Sequence, residues 1–514
     1  MFKYPLFLLF FLSSALLSAE KISSEAFSPT WNEFREYITG EMREWKVPGL
    51  ALAIIKEGKP LVVQGLGVRK WGTKAPVTEQ SKFVLGSCTK IFTSLATLLL
   101  AERKALSLDQ PIQSLLPGFF FFDPWVTQQM TARDLLVQRI GLETWQAEYL
   151  WKMGFSREEM LYRMRYIKPK HSFRYRFGYS NLSYLVLSEL IAGLSDLSWE
   201  DFIETYLFAP LEMSSSEAIF PHFDLKENIA FPHILSQEQV VPVIYPSLDS
   251  AIPIGGISST VRDLSLLLQC LLSEGVSPYG RFLQTDSIRE MWTPQITIPP
   301  SDEKMYSLFP ELQSSDSLNY GLGWFLHSYE GKEVVEHLGT IPGMSTLISL
   351  IPQEKLGIVL LANQDASLFL SAIKLRIFDY FLQLPFMDWS QKFLSQERER
   401  EQRKEKQERE IRESRNANRP PLLPLSSYAG QFEHRVYGPL SISHNHGDLQ
   451  ISLGKIPLEG FLEHWHYNTF RIRWKYPFLM RRASFLTFFQ DEEGIIFKLS
   501  FSSLGSFKKK MNSK

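Results

Sequence analysis

Ser87 and Lys90 stand three residues apart where a short apolar run, Phe83-Val84-Leu85-Gly86, gives way to a long one, Ile91 to Leu100. If the second run is a helix, residues three apart on its first turn share a face. A serine hydroxyl is a poor nucleophile at neutral pH until a base within hydrogen-bond reach takes its proton. A lysine is such a base when neutral, and burial among apolar neighbours lowers its pKa toward that state. The helix start adds backbone N–H groups suited to an anionic intermediate. Ser87 could instead be an ordinary helix N-cap. Ser-x-x-Lys recurs at Ser18/Lys21, Ser301/Lys304, Ser371/Lys374, Ser452/Lys455 and Ser506/Lys509, but only at Ser87 does it follow glycine at the head of an apolar helix with partner motifs downstream.

Two later stretches supply partners. Tyr179-Ser180-Asn181 ends a loop that opens onto the apolar run Leu185 to Leu194, and His337-Leu338-Gly339-Thr340 lies in a strand-like segment. In acyl transfer, Ser87 attacks and Lys90 takes or orients its proton. Tyr179 shuttles a proton to the leaving group, and Asn181 holds Lys90 and the substrate amide. Gly339 allows close approach of backbone, and the N–H groups of Thr340 and Ser87 form an oxyanion hole. An unperturbed histidine titrates at about 6.5, so His337 is expected to be cationic at pH 6 and neutral at pH 8.

The elements that must hold these groups are legible in outline. Trp31 to Trp45 has helical spacing; Leu50 to Ile55 and Pro60 to Gly67 read as a hairpin across Lys56-Glu57-Gly58-Lys59. Thr131 with Asp134 three residues on reads as a capped helix start. Gly255-Gly256 precedes an amphipathic helix from Val261 to Leu272 and has no Gly-Lys-Ser/Thr after it, so it is not a phosphate loop. Tyr320 to Phe325, Val334 to Thr340, Met344 to Ile351 and Leu356 to Leu361 read as strands that join the hairpin, and Ser367 to Leu384 as a last helix before Pro385.

The 514 residues predict several domains, and a hydrophobic content of 44% supplies their cores. A net charge of -1 gives no sign of a nucleic-acid partner. Two cysteines, Cys88 and Cys270, are too few for a zinc cluster or disulfide framework and read as reduced apolar fillers. Lys3, the apolar run Pro5 to Leu17 and the small residues Ser18-Ala19 read as a signal peptide over 1–19, which implies a secreted or periplasmic protein, or a membrane tether if the segment is not cleaved.

Beyond Pro385 the composition changes. Residues 395–421 are dominated by Glu, Arg, Lys and Gln with both signs interleaved and read as a charged helical linker, ended by Pro420-Pro421. From 422 to 508 six apolar or alternating segments predict a small antiparallel β domain or partial barrel. His434, His444, His446, His464 and His466 invite a metal reading, and no carboxylate or cysteine set completes one. No cofactor is expected.

The ordered set Ser87-x-x-Lys90, Tyr179-x-Asn181 and His337-Leu338-Gly339 resembles the class C-like branch of the serine β-lactamase and penicillin-binding protein superfamily. Val47-Pro48-Gly49-Leu50, Asp134-Leu135-Leu136 and Pro210-Leu211-Glu212-Met213 extend the resemblance over about residues 30–390, and Leu425 to Phe432 is similar to the start of the small β domain attached to many such hydrolases. The resemblance implies an α+β domain over 20–394, an antiparallel sheet flanked by helices with a helical lobe, and an acyl-enzyme on Ser87 formed from a D-alanyl peptide or ester. The alternatives are a β-lactamase or a non-turnover penicillin-binding sensor. Two departures stand out: His337-Leu338-Gly339 replaces Lys-Thr-Gly, and Gln138 stands where the family usually has histidine.

Overall fold

The computed structural model describes residues 24–510 except 221, 222, 225, 237, 244–248, 314, 417, 457 and 476–482. The signal peptide expected over 1–19 lies outside the described residues.

An eight-stranded antiparallel sheet forms the centre. Its strands are β1 (Gly49–Lys56), β2 (Lys59–Gly67), β3 (Ile296–Ile298), β4 (Leu318–Tyr320), β5 (Phe325–Tyr329), β6 (Lys332–Ile341), β7 (Met344–Ile351) and β8 (Leu356–Ala362), in the spatial order β2-β1-β8-β7-β6-β5-β4-β3. β1 pairs with β8, Ala53 opposite Val359, so the N-terminal hairpin is completed by strands from far along the chain. The expected strand Tyr320 to Phe325 is instead the end of β4 and the start of β5. The turn between them is closed by Gly321 N donating to Trp324 O at 2.8 Å.

The longer helices are α1 (Ser24–Glu44), α2 (Thr89–Glu102), α3 (Asn181–Ser195), α4 (Val261–Leu272), α5 (Ser367–Phe381) and α6 (Trp389–Glu413). They cover both faces of the sheet. β8 is therefore buried along its whole length and does not alternate apolar with polar. The period of two survives as a division between two cores. Ala51, Ala53, Val359 and Leu361 pack toward α2, α3 and α4, and Leu50, Leu52, Ile358 and Leu360 toward α1 and α5. Leu182, Tyr184, Leu185 and Ile191 of α3 are buried against the same core as Ile91, Phe92 and Leu95 of α2, which makes the helical lobe. The capping box Thr131/Asp134 starts the short helix Ala132–Leu136.

The tail is a closed barrel of eight strands, two more than the sequence suggested: β9 (Gly430–His434), β10 (Gly438–Asn445), β11 (Asp448–Leu453), β12 (Leu458–His466), β13 (Thr469–Trp474), β14 (Ser484–Gln490), β15 (Ile496–Phe501) and β16 (Gly505–Lys509). The two unforeseen strands are hard to read in the letters. β12 alternates buried and exposed from Leu458 to Leu462 but places Gly460 inside and Phe461 outside, and β16 buries only Phe507. β16 nevertheless closes the barrel by pairing Lys509 with Phe432. The barrel histidines do not converge: His446 leaves the strand at φ +52°, His464 Nε2 bonds Tyr467 O at 3.0 Å, and His434 Nδ1 accepts from Val436 N at 3.0 Å.

The charged segment is helical only as far as Glu413, short of Pro420-Pro421. It forms the greater part of α6, which starts earlier at Trp389 and is anchored by Phe393 in the core and by Trp389 Nε1 donating to Asp379 Oδ2 at 2.7 Å. Its far end meets the barrel through Glu408 and Arg471, 2.7 Å apart. The barrel also seats on the helical lobe. Lys455 N donates to Met153 O at 2.8 Å, and Arg163 Nη1 donates to Arg435 O at 2.9 Å.

Candidate active site

The Ser87 turn forms because Phe83–Val84 pairs with Ser258–Ser259 and Leu85 N then donates to Ile257 O at 2.8 Å, which stops the strand against a second chain segment. Gly86–Cys88 is one turn of 3₁₀ helix, and α2 follows from Thr89. Gly86 takes φ +53°, and a Cβ there would lie 2.6 Å from Thr340 N, so β6 and the turn touch backbone to backbone. Gly339 does the same from the other side: its Cβ would collide with Leu85 O. Glycine at both positions lets the Ser87 turn rest on the strand that carries His337 and Thr340.

Ser87 is half-buried among fully buried neighbours. Lys90 is fully buried, with Nζ 3.1 Å from Ser87 Oγ and donating to Ile254 O at 3.0 Å. Burial lowers the Lys90 pKa to about 7, against the upward pull of Glu148 and Cys88. A neutral amine placed this way can give one N–H to Ile254 and accept the Ser87 proton on its lone pair.

Tyr179 is set by its backbone, its N–H donating to Thr144 Oγ1 at 3.2 Å and its carbonyl accepting from Trp145 N at 2.8 Å. Its ring stacks on Phe325 with centroids 6.2 Å apart and planes 8° from parallel, and Lys90 Nζ lies 5.0 Å from the ring centroid. Burial pushes the phenol well above its ordinary pKa, and the Ser87 hydroxyl only partly offsets this. Tyr179 is thus protonated at neutral pH, suited to passing a proton rather than to starting as a phenolate.

Asn181 departs from expectation. Its Nδ2 donates to Glu148 Oε1 at 2.7 Å and its Oδ1 has no hydrogen-bond partner, so it does not hold Lys90; the Ile254 carbonyl does. Gln138 stands at φ +61° and accepts a hydrogen bond from Ser180 N through Oε1, while Gly178 N donates to its carbonyl at 2.9 Å. Gln138 thus braces the Tyr179-Ser180-Asn181 loop.

His337 lies on the same face of β6 as Gly339, fully buried, with Nε2 3.3 Å from Tyr320 Oη and Nδ1 2.7 Å from Leu338 O. Burial, and then the Lys90 charge, lower its pKa to about 3. The expected switch between pH 6 and 8 is therefore absent: His337 is neutral throughout. Its ring is 6.3 Å from that of Tyr179, centroid to centroid, and its hydrogen-bonding partner is Tyr320. Thr340, one residue beyond Gly339, is exposed. Cys88 is more than a filler. Its thiol donates to His337 O at 3.2 Å, and burial pushes its pKa up to about 12, outside the nucleophilic range.

The sequence did not point to Ile254, Glu148 or Tyr320. Ile254 acts through its carbonyl, which no side-chain pattern reports, although the neighbouring Gly255-Gly256 marks a place of close backbone approach. Glu148 follows Trp145 and Ala147, two non-glycine residues at φ +64° and +59°, a local strain invisible in the letters.

On the reverse face of β6, Glu336 meets Lys374 of α5 at 2.9 Å, His327 at 2.9 Å and Ser349 at 2.7 Å, and Lys374 also pairs with Glu311 at 2.5 Å. Burial disfavours the Glu336 charge, but Lys374 and His327 outweigh it and hold the carboxyl at about 2. Glu311, His327 and Glu336 form the one group of potential metal ligands among the described residues, and the Lys374 ammonium sits in it.

The beta-lactamase family model matches residues 34–377, and a second model, described as a domain of unknown function, matches 414–512. An unguisins hydrolase of Aspergillus violaceofuscus is 24% identical over 457 residues, 81% of this chain and 77% of that protein. Penicillin-binding protein 4 of Amycolatopsis lactamdurans is 24% identical over 332 residues, 62% of this chain and 82% of that protein. The octameric penicillin-binding protein homologue from Pyrococcus abyssi superposes with a TM-score of 0.60 at 21% identity, covering 93% of this chain and all of that one. The family match spans the Ser87 turn, the Tyr179 loop and β6, the three places that the fold brings together, and the chain belongs to the beta-lactamase family of serine hydrolases.

Proposed function

We propose that the chain is an exported serine hydrolase acting through an acyl-enzyme on Ser87, with D-alanyl peptides or esters as its substrates. The observation that carries this is the buried Lys90 amine, 3.1 Å from Ser87 Oγ and with its pKa lowered to about 7. Ser87 Oγ bonds to the acyl carbon while its proton passes to Lys90. Tyr179 relays a proton to the departing amine or alkoxide, and water then releases the acyl group, returning Ser87 to its hydroxyl form. The N–H groups of Ser87 and Thr340 receive the oxyanion where Gly86 and Gly339 let the two segments touch.

Neutral His337 supplies no cation for the carboxylate of a β-lactam, which favours neutral esters over β-lactam turnover. The penicillin-binding relatives keep a second reading in play, slow acylation by penicillin without release. Export rests on Lys3, the apolar run to Leu17 and Ser18-Ala19; no helix among the described residues is long and apolar enough to cross a membrane. Intact-mass spectrometry over time, with a fluorescent penicillin and with p-nitrophenyl butyrate, separates the readings. An ester turned over many times alongside a penicillin adduct that stays on the protein supports the proposal. Rapid penicillin turnover with no ester cleavage refutes it.

A further inference from the structure

Glu148 bonds the Asn181 amide at the end of the Tyr179 loop and has no place in the steps above. It is half-buried and directly follows the strained stretch Trp145 to Ala147, whose first residue donates its N–H to the Tyr179 carbonyl. Its Oε1 accepts from Asn181 Nδ2 at 2.7 Å and from Trp151 Nε1 at 2.9 Å, and its Oε2 takes no hydrogen bond among the described residues. Its charge is felt at both Lys90 and Tyr179.

A carboxylate can only accept, so Glu148 fixes the Asn181 amide with its NH2 toward the acid and its Oδ1 away. That Oδ1 is buried without a partner, and an orphaned acceptor in such a place favours a ligand that brings a donor. The pair therefore presents two acceptors, Glu148 Oε2 and Asn181 Oδ1. On β6 stands neutral His337, where the β-lactamase resemblance implies a cation. The neighbouring lysines are engaged: Lys304 Nζ donates to Thr144 O at 3.1 Å, and Lys152 lies over the Trp151 ring at 5.0 Å.

We infer that Glu148, with the Asn181 oxygen it orients, selects substrates whose acyl part carries a protonated amine a few bonds from the scissile carbonyl, and disfavours those with a carboxylate there. This rests on the acyl-enzyme reading of Ser87 and names the substrate class of that site.

Three p-nitrophenyl esters of matched length test it: β-alanine (cationic), butyrate (neutral) and the succinate monoester (anionic). Wild-type kcat/KM, corrected for spontaneous hydrolysis, falls in that order, with at least about tenfold between the cationic and anionic esters, a floor well below the full attraction of one charge pair near a protein surface. Glu148→Gln keeps an acceptor for Asn181 yet shrinks the cationic-to-anionic ratio about tenfold, Glu148→Asp restores part of it, and raised salt weakens it. The inference is overturned if the butyrate ester is cleaved in a Ser87-dependent way while the ratio is reversed in the wild type or unmoved in Glu148→Gln. If the butyrate ester is not cleaved at all, the acyl-enzyme reading fails first and takes this with it.

Discussion

Replacing Lys90 by methionine should make the protein more stable as it makes it inactive. Lys90 is fully buried, and its hydrogen-bonding partners are a hydroxyl and a carbonyl, neither a carboxylate. Holding its pKa at about 7 instead of the ordinary value corresponds to about 5 kcal/mol against the charged form. Methionine removes that cost and leaves the Ile254 carbonyl without its donor, a loss of about 1–3 kcal/mol. The net gain is about 2–4 kcal/mol near neutral pH. Because the folded pKa lies below the unfolded one, the native state sheds the proton first, and wild-type stability rises with pH between about 7 and about 10.4. The gain of Lys90→Met is therefore fullest at and below pH 7 and closes toward pH 10. Calorimetry and urea titration of both proteins at pH 6.5, 8 and 9.5 measure it, beside kcat/KM on p-nitrophenyl butyrate, which should fall at least about 100-fold. In the wild type, kcat/KM should rise about tenfold per pH unit below 7 and level off above it as the amine becomes free. A variant less stable than the wild type at pH 7, or a gap that does not change with pH, would show that Lys90 is not held neutral by burial.

Lys374 is the contrasting case. It is equally buried but paired with Glu311 and Glu336, so Lys374→Met should destabilise by about 3–5 kcal/mol at pH 7, read by urea titration; a neutral effect would mean the two carboxyls do not depend on it. His337, with a pKa of about 3, stays neutral from pH 6 to 8, so the ratio of p-nitrophenyl butyrate to nitrocefin cleavage should vary by less than about twofold over that range. A ratio that climbs steeply with pH would return His337 to the role of a titrating cation. Gly339→Ala should push β6 off the Ser87 turn and lower kcat/KM by about 10²-fold, as for a lost oxyanion donor, with KM little changed; normal turnover would mean the contact at Leu85 O is dispensable.

The family and the grouping of the candidate residues were legible because side-chain identity carries them. A serine and a lysine three apart at a glycine, with Tyr-x-Asn and His-Leu-Gly following in order, leave few readings, and the apolar runs fixed the helices and most of the strands. What escaped depends on backbone and burial. The partner of Lys90 is the carbonyl of Ile254, and Asn181 turns to Glu148 because a loop with left-handed residues delivers that acid. The value of about 6.5 expected for His337 ignored that strands on both sides and Tyr320 would seal it from water. The barrel came out two strands short because β12 puts Gly460 inward and Phe461 outward, which hides its alternation in the letters, and β16 has one buried residue.

The central claim, that Ser87 is the nucleophile and Lys90 its base, is tested most directly by locating the covalent adduct. The full-length protein is treated with a fluorophosphonate at pH 6, 7 and 8, digested and sequenced by mass spectrometry. The account predicts one adduct, on Ser87, forming more slowly below pH 7, absent in Ser87→Ala and strongly slowed in Lys90→Met. An adduct on another residue, or labelling that persists in Ser87→Ala, would contradict it.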